Sequence, residues 1–104
     1  MPRFRFSYRA ETDLLAIGEY TLRTWGKVQA ARYINEIEAC CQMLAANPAL
    51  GRSCENVRPG LRRFEHGKHV VFYRREPDGI FVSRILHERM LPKLHATDDQ
   101  AKEP

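Results

Sequence analysis

The chain has 104 residues, of which 43% are hydrophobic and 29% are charged, and its formal net charge at pH 7 is +4. This length suits a single domain with one hydrophobic core. No apolar segment is long enough to cross a membrane, and the N-terminus lacks the apolar core of a signal peptide. We therefore expect a cytoplasmic protein with one domain over residues 1–96 and a polar, flexible tail over residues 97–104.

The cysteines give no indication of a disulfide framework or of a metal site. There are three, Cys40, Cys41 and Cys54, and two of them are adjacent. An odd count with this spacing fits neither a set of paired disulfides nor the spacing of zinc ligands. We expect reduced thiols, at least one of them in the core, and no metal or cofactor.

The N-terminal third predicts one strand and one helix. Residues Arg3 to Phe6 alternate arginine and phenylalanine, which is typical of a strand with one apolar face. No hairpin partner is adjacent, so this strand must pair with a later one. Ser7 is a candidate N-cap for a helix from about Arg9 to Trp25. The spacing predicts that the helix buries one stripe of side chains, namely Leu14, Ile17, Thr21 and Trp25.

A second helix is predicted from about Lys27 to Ala46. Its apolar residues recur every three or four positions, and Asn47-Pro48 ends it because the residue before proline disfavours the helical region. Only Gly26 separates the two helices, so they must double back as a helical hairpin. This hairpin is expected to cover one face of a sheet.

The segment from Arg58 to Met90 predicts a three-stranded antiparallel meander. Turn signals at His66-Gly67 and Pro77-Asp78-Gly79 separate runs rich in β-branched and aromatic residues. The strands are expected near Leu61–Glu65, Lys68–Arg75 and Ile80–His87. The run from Val70 to Tyr73 is apolar at every position, so both faces of the central strand must be covered. The predicted fold is α+β: a helical hairpin on a four-stranded, mainly antiparallel sheet, with an irregular connection over residues 49–59.

The meander carries most of the positive charge. Residues 58–95 contain nine Lys or Arg and four Asp or Glu, a net charge of +5. Arg62 and Arg63 are adjacent on a strand and must point to opposite faces. Arg84 lies in an apolar strand and needs an acceptor, either within the chain (a Glu carboxylate or a backbone carbonyl) or on a partner. His69 and His87 have no nucleophile nearby in sequence, which favours structural roles.

Several strings resemble one protein family over about residues 3–95. They are SYRAETDLLAIGEYTLRTWG, QAARYINEIEACCQMLAANPALGR, RPGLRRFEHGKHVVFYR and VSRILHERM. Together they resemble the ParE branch of the RelE/ParE toxin superfamily. The resemblance implies the toxin of a bacterial type II toxin–antitoxin pair, held inactive in a hetero-oligomer by a ParD-like antitoxin. It also implies a non-enzymatic inhibitor of DNA gyrase, without sequence-specific DNA binding or membrane contact of its own.

Two sets of contact residues follow as hypotheses. The basic end of the meander is the candidate gyrase contact, formed by Arg62, Arg63, Arg84, His87 and Arg89. Large side chains on or near the helix faces are expected to border an apolar groove for the antitoxin. The candidate antitoxin contacts are Tyr20, Trp25, Tyr33 and Arg84.

The main alternative is ribosome-dependent cleavage of mRNA, the activity of the RelE branch. Arg89 and His95 fall near positions where those enzymes carry an arginine and a terminal acid or base. Val70, however, stands where they carry a second arginine. Losing a fixed cation at the transition state costs a factor of about 10²–10³ in rate, so RNA cleavage ranks second. A module that binds nucleic acid through phosphates, or an antitoxin-binding protein without toxicity, also remains open.

Overall fold

The computed structural model describes residues 2–91. The elements in chain order are β1 (Arg3–Phe6), α1 (Tyr8–Trp25), α2 (Lys27–Ala46), a 3₁₀ turn (Pro48–Leu50), β2 (Arg52–Ser53), β3 (Arg62–His66), β4 (His69–Glu76), β5 (Gly79–His87) and a second 3₁₀ turn (Glu88–Met90). The predicted tail at 97–104 and His95 lie outside the described residues.

The strands form one mixed sheet in the order β1-β5-β4-β3-β2. β1 lies parallel to β5, and all other pairs are antiparallel. The α+β architecture and the entry of the first strand without a hairpin are therefore confirmed. The predicted number of four strands was wrong, because Arg52 and Ser53 pair with Arg63 and Arg62 to add a fifth. A two-residue strand is too short to show an alternating pattern.

Two residues set the ends of the helices. The Ser7 hydroxyl oxygen accepts a hydrogen bond from the Ala10 N–H at 2.9 Å, which caps α1 as expected, and it donates to the Ser83 carbonyl at 2.7 Å. Gly26 has φ of 92°, a value that favours glycine. Its N–H donates to the Leu22 carbonyl, and its own carbonyl accepts from Ala30. One residue therefore ends α1 and begins α2.

The central strand β4 is covered on both faces, as its composition predicts. Val71 and Tyr73 face the helices and pack in the main core with residues such as Ile37 and Leu44. On the other face, a second cluster joins β4 and β5 to the connection that precedes β3. Its buried members are Cys54, Val70, Phe72 and Leu86. All three cysteines are free and buried, and burial raises the pKa of the Cys41 thiol to about 12.

Trp25 is not part of the buried stripe, which corrects the prediction for α1. Its side chain is 69% exposed, and every residue from 22 to 29 is exposed. The stripe ends at Thr21, whose hydroxyl donates to the Ile17 carbonyl at 2.7 Å. The turn between the helices is exposed on both sides of Gly26, so helical periodicity continues to Trp25 without burial.

Tyr73 anchors the connection between α2 and β3. Its buried hydroxyl donates to the Pro48 carbonyl and accepts from the Gly51 N–H, both at 2.8 Å. Gly51 lies so close to this ring that a Cβ atom would overlap the Tyr73 hydroxyl. The connection, which the sequence predicts as irregular, is thus fixed to the central strand at one point.

Candidate functional site

Asp13 closes the free edge of β5. β1 pairs with β5 only as far as Val82, so the edge beyond it lacks a strand partner among the described residues. There the Asp13 carboxylate accepts from the Ile85 N–H at 2.9 Å, and from Nε and Nη2 of Arg84 at 2.8 and 3.0 Å. Arg84 therefore has an acceptor within the chain, as its position in an apolar strand predicts. The acceptor is an aspartate of α1, whereas a Glu carboxylate or a backbone carbonyl was expected.

A hydrogen-bonded cluster of aromatic rings lies between α2 and the ends of β4 and β5. The Tyr33 hydroxyl is 2.6 Å from Nδ1 of His69, and the rings of His69 and His87 meet edge to face with centroids 5.2 Å apart. Burial, with the nearby His87 and His66, lowers the pKa of His69 to about 4. Burial also raises the pKa of Tyr33. His69 is thus neutral at pH 7.

A depression of about 410 Å³ lies between α1 and the end of β5, and we call it the β5-end pocket. Tyr20, His87, Arg89 and Met90 line it, with His69 and Asp13. It brings one candidate antitoxin contact, Tyr20, next to two candidate gyrase contacts. Arg89 lies on the exposed 3₁₀ turn, where its N–H donates to Nδ1 of His87 at 3.0 Å.

Arg62 and Arg63 lie on β3, separated from β5 by β4. Arg62 is paired with Tyr73, on the helix-covered face, and donates to the Gly51 carbonyl at 2.5 Å. Arg63 is on the opposite face, where it donates to Glu65 at 2.9 Å and lies 5.7 Å from the Phe72 ring centroid. The five basic candidates therefore do not form one continuous patch.

An apolar groove, which we call the α1 groove, runs along the outer side of α1. It has a volume of about 460 Å³ and is lined by Phe6, Leu14, Leu15, Gly18, Leu22 and Ile34, with Glu11 and Glu19. Leu15 is 70% exposed. Gly18 has no side chain to fill the space above Ile34.

The predicted antitoxin contacts Tyr20, Trp25 and Tyr33 do not line the α1 groove. The residues of α1 that do line it recur at three- and four-residue steps. They form a second apolar stripe beside the buried one. This second periodicity is the signal in the sequence that could have identified the groove.

Over residues 2–91 no group of three or more His, Cys, Asp or Glu is arranged to hold a metal ion. Val70 is 1% exposed and packs among Cys54, Phe72 and Leu86. Within the same range, neither helix has the length and apolar character needed to cross a bilayer.

Comparison with known proteins identifies the family. Residues 4–92 match the family described as the ParE toxin of type II toxin–antitoxin systems, parDE. The chain belongs to the ParE toxin family. The resemblance found in the sequence is thereby confirmed over nearly the whole chain.

Individual ParE proteins agree with this assignment. Toxin ParE1 of Caulobacter vibrioides is 42% identical over 97 residues, covering 91% of this chain and 98% of the relative. Toxin ParE1 of Mycobacterium tuberculosis is 40% identical over 89 residues, covering 85% and 91%. A chain in the solved structure described as "Chromosomal ParDE TA system from P. aeruginosa" superposes with a TM-score of 0.70 at 25% identity, covering 84% of this chain and 96% of that chain.

Proposed function

We propose that this ParE-family toxin acts in the cytoplasm by binding and inhibiting DNA gyrase, and that a ParD-like antitoxin neutralises it in a hetero-oligomer. The observation that carries the choice of binding over catalysis is the environment of Val70. This side chain is buried in an apolar cluster, at the position where the resemblance to RelE-type enzymes calls for an arginine.

The chemistry of RNA cleavage explains why this matters. Attack by a 2′-OH on a phosphodiester builds up negative charge, and a fixed cation in a prepared site lowers that barrier. Val70, which packs against Cys54 and Phe72 in an apolar cluster, supplies no such cation. His69, the nearest histidine along the strand, has a pKa of about 4, which is far below that of an effective general base at neutral pH. These features support a toxin that acts by binding its target and not by cleaving RNA.

The α1 groove is the proposed antitoxin site. It is an apolar channel along α1, bordered by Phe6 of β1 and Ile34 of α2, and an amphipathic helix fits such a channel with its apolar face inward. Glu11 and Glu19 lie along it and would favour a partner helix with basic residues beside its apolar stripe. The similar solved structure is described as a ParDE system, which supports an antitoxin as the partner.

The β5-end pocket is the proposed gyrase contact. It combines a cation, Arg89, with His87 and the exposed ring of Tyr20. Aromatic and arginine side chains are the types that contribute most at protein interfaces. Arg62, Arg63 and Arg84 are engaged within the chain, so we assign them a secondary part in this contact.

Two parallel reactions test the proposal. The purified toxin is added to a gyrase supercoiling reaction, and separately to translating ribosomes with a defined message. Inhibited supercoiling with intact message supports gyrase binding. Cleaved message with normal supercoiling overturns it and favours the RelE-type activity, and Arg89 and His95 are then the first residues to substitute.

A further inference from the structure

A separate cavity lies where the start of α1 meets β4, β5 and the connection before β3. Its volume is about 360 Å³, and we call it the arginine pocket. Its lining divides into three chemical groups. They are the arginines Arg9, Arg58 and Arg84, the hydroxyl residues Ser7, Tyr8 and Ser83, and the apolar residues Val57, Leu61 and Phe72.

Positive charge predominates among the described residues that line the pocket. The charge of Arg84 is balanced by Asp13. Arg9 and Arg58 are exposed, and neither side chain forms a hydrogen bond or ion pair with another residue in the range 2–91. The first turn of α1 also lies here and adds the positive end of the helix dipole. Two guanidinium groups therefore stand beside one cavity, and no Asp or Glu is among its described lining residues.

The walls of the pocket are held in place before any ligand arrives. The Cys54 N–H donates to the Leu61 carbonyl at 2.7 Å, and the Leu61 N–H donates to the Arg58 carbonyl at 3.1 Å. The Glu55 carboxylate accepts from the Gly60 N–H at 2.8 Å. On the opposite wall, the bond from Ser7 to the Ser83 carbonyl fixes the start of α1 to β5. The backbone around the pocket therefore needs little further ordering when a ligand binds.

We propose that the arginine pocket binds a nucleoside phosphate. The guanidinium groups of Arg9 and Arg58 hold the phosphate through charge-assisted hydrogen bonds. Val57, Leu61 and Phe72 form an apolar wall for the base or sugar. A free nucleotide and the terminal nucleotide of a nucleic-acid strand share this chemistry. The inference does not rest on gyrase inhibition, because the phosphate contacts Arg9 and Arg58 are not among the proposed gyrase contacts.

The test measures binding by titration calorimetry with four probes: adenosine 5′-monophosphate, adenosine, inorganic phosphate and a short 5′-phosphorylated oligothymidine. The double variant R9Q/R58Q should bind the monophosphate about tenfold more weakly or worse. The matched control R23Q/R32Q removes the same charge from exposed positions elsewhere and should stay within about twofold of wild type. In the unsubstituted protein, the monophosphate should shift the backbone amide signals of Tyr8, Arg9 and Arg58.

The outcomes separate the sources of the ligand and can refute the site. Tighter binding of the oligothymidine than of the monophosphate supports a nucleic-acid end, and equal or weaker binding supports a free nucleotide. The proposal is overturned if the monophosphate does not bind, or if both double variants lose the same affinity. It is also overturned if inorganic phosphate binds as tightly as the monophosphate, or if the shifted amides lie away from the pocket.

Discussion

Asp13 on α1 and Arg84 on β5 lie 71 positions apart in sequence and form a two-point ion pair at the edge of the sheet. The same carboxylate accepts a hydrogen bond from the Ile85 N–H. It therefore takes the place of a strand partner on the part of β5 that lies beyond its pairing with β1. Asp13 lines the β5-end pocket and Arg84 lines the arginine pocket. This pair therefore joins the helical layer to the sheet and shapes the walls of both cavities.

The first prediction concerns this pair. Asp13→Ala leaves the Arg84 guanidinium and the Ile85 N–H without their acceptor, and should lower the free energy of unfolding by about 2–3 kcal/mol. Asp13→Asn keeps an oxygen for the amide and should cost less. Arg5→Ala breaks the exposed pair between Arg5 and Glu76 and is the control, expected to change stability far less. Urea unfolding of the three variants checks the order, and equal losses for Asp13→Ala and Arg5→Ala would contradict it.

The second prediction concerns the anchor of the connection. Tyr73→Phe removes a buried hydroxyl that both donates and accepts, and should cost about 1–3 kcal/mol because the Gly51 N–H and the Pro48 carbonyl lose their partner. Tyr8→Phe makes the same chemical change at a side chain that is 82% exposed, and should be close to neutral. Thermal unfolding measures both, and a neutral Tyr73→Phe would argue against the anchor.

The third prediction is a pH dependence of stability. The pKa of His69 is about 4 in the folded chain and about 6.5 when unfolded, so between these values the unfolded state binds more protons. The stability that the neutral His69 contributes is therefore fully present above pH 6.5 and is lost as the pH falls toward 4. From pH 7 to pH 5 the loss due to His69 should be about 1–2 kcal/mol. His69→Gln should remove this part of the slope in urea titrations, and an unchanged slope would show that His69 is not its source.

The fourth prediction concerns antitoxin binding. Leu15→Asp and Leu22→Asp place a charge in the exposed α1 groove, and each should weaken binding of a ParD-like antitoxin about tenfold or more. Stability should change little, because both side chains face outward. Val28→Asp is the control, since Val28 is 76% exposed but does not line the groove. Affinity measured by titration should separate the groove variants from the control, and equal losses would refute the assignment.

Local patterns predicted most of the fold. Three local signals were correct: the alternating run in β1, the helix cap at Ser7 and the turn signals on either side of β4. Each of them involves only a few neighbouring residues. The apolar run at Val70 to Tyr73 correctly predicted cover on both faces. These features succeed because local sequence and burial favour the same structure.

What sequence reasoning missed depends on contacts between distant segments. No local pattern identifies Asp13 as the acceptor for Arg84, because the two meet only when α1 reaches the edge of β5. Periodicity continues through Trp25, yet every residue around the turn between the helices is exposed, and so is this ring. Charge alone grouped Arg62 and Arg63 with Arg89, but β4 separates the strand of the first two from β5.

Inhibition of reconstituted gyrase is the measurement that tests the proposed function most directly. The purified toxin is titrated into a supercoiling reaction, with and without prior mixing with its antitoxin. We predict a loss of supercoiling that deepens with toxin concentration and disappears when the antitoxin is mixed first. Unchanged supercoiling at every concentration, by a folded preparation that still binds the antitoxin, would contradict the proposal that this toxin acts on gyrase.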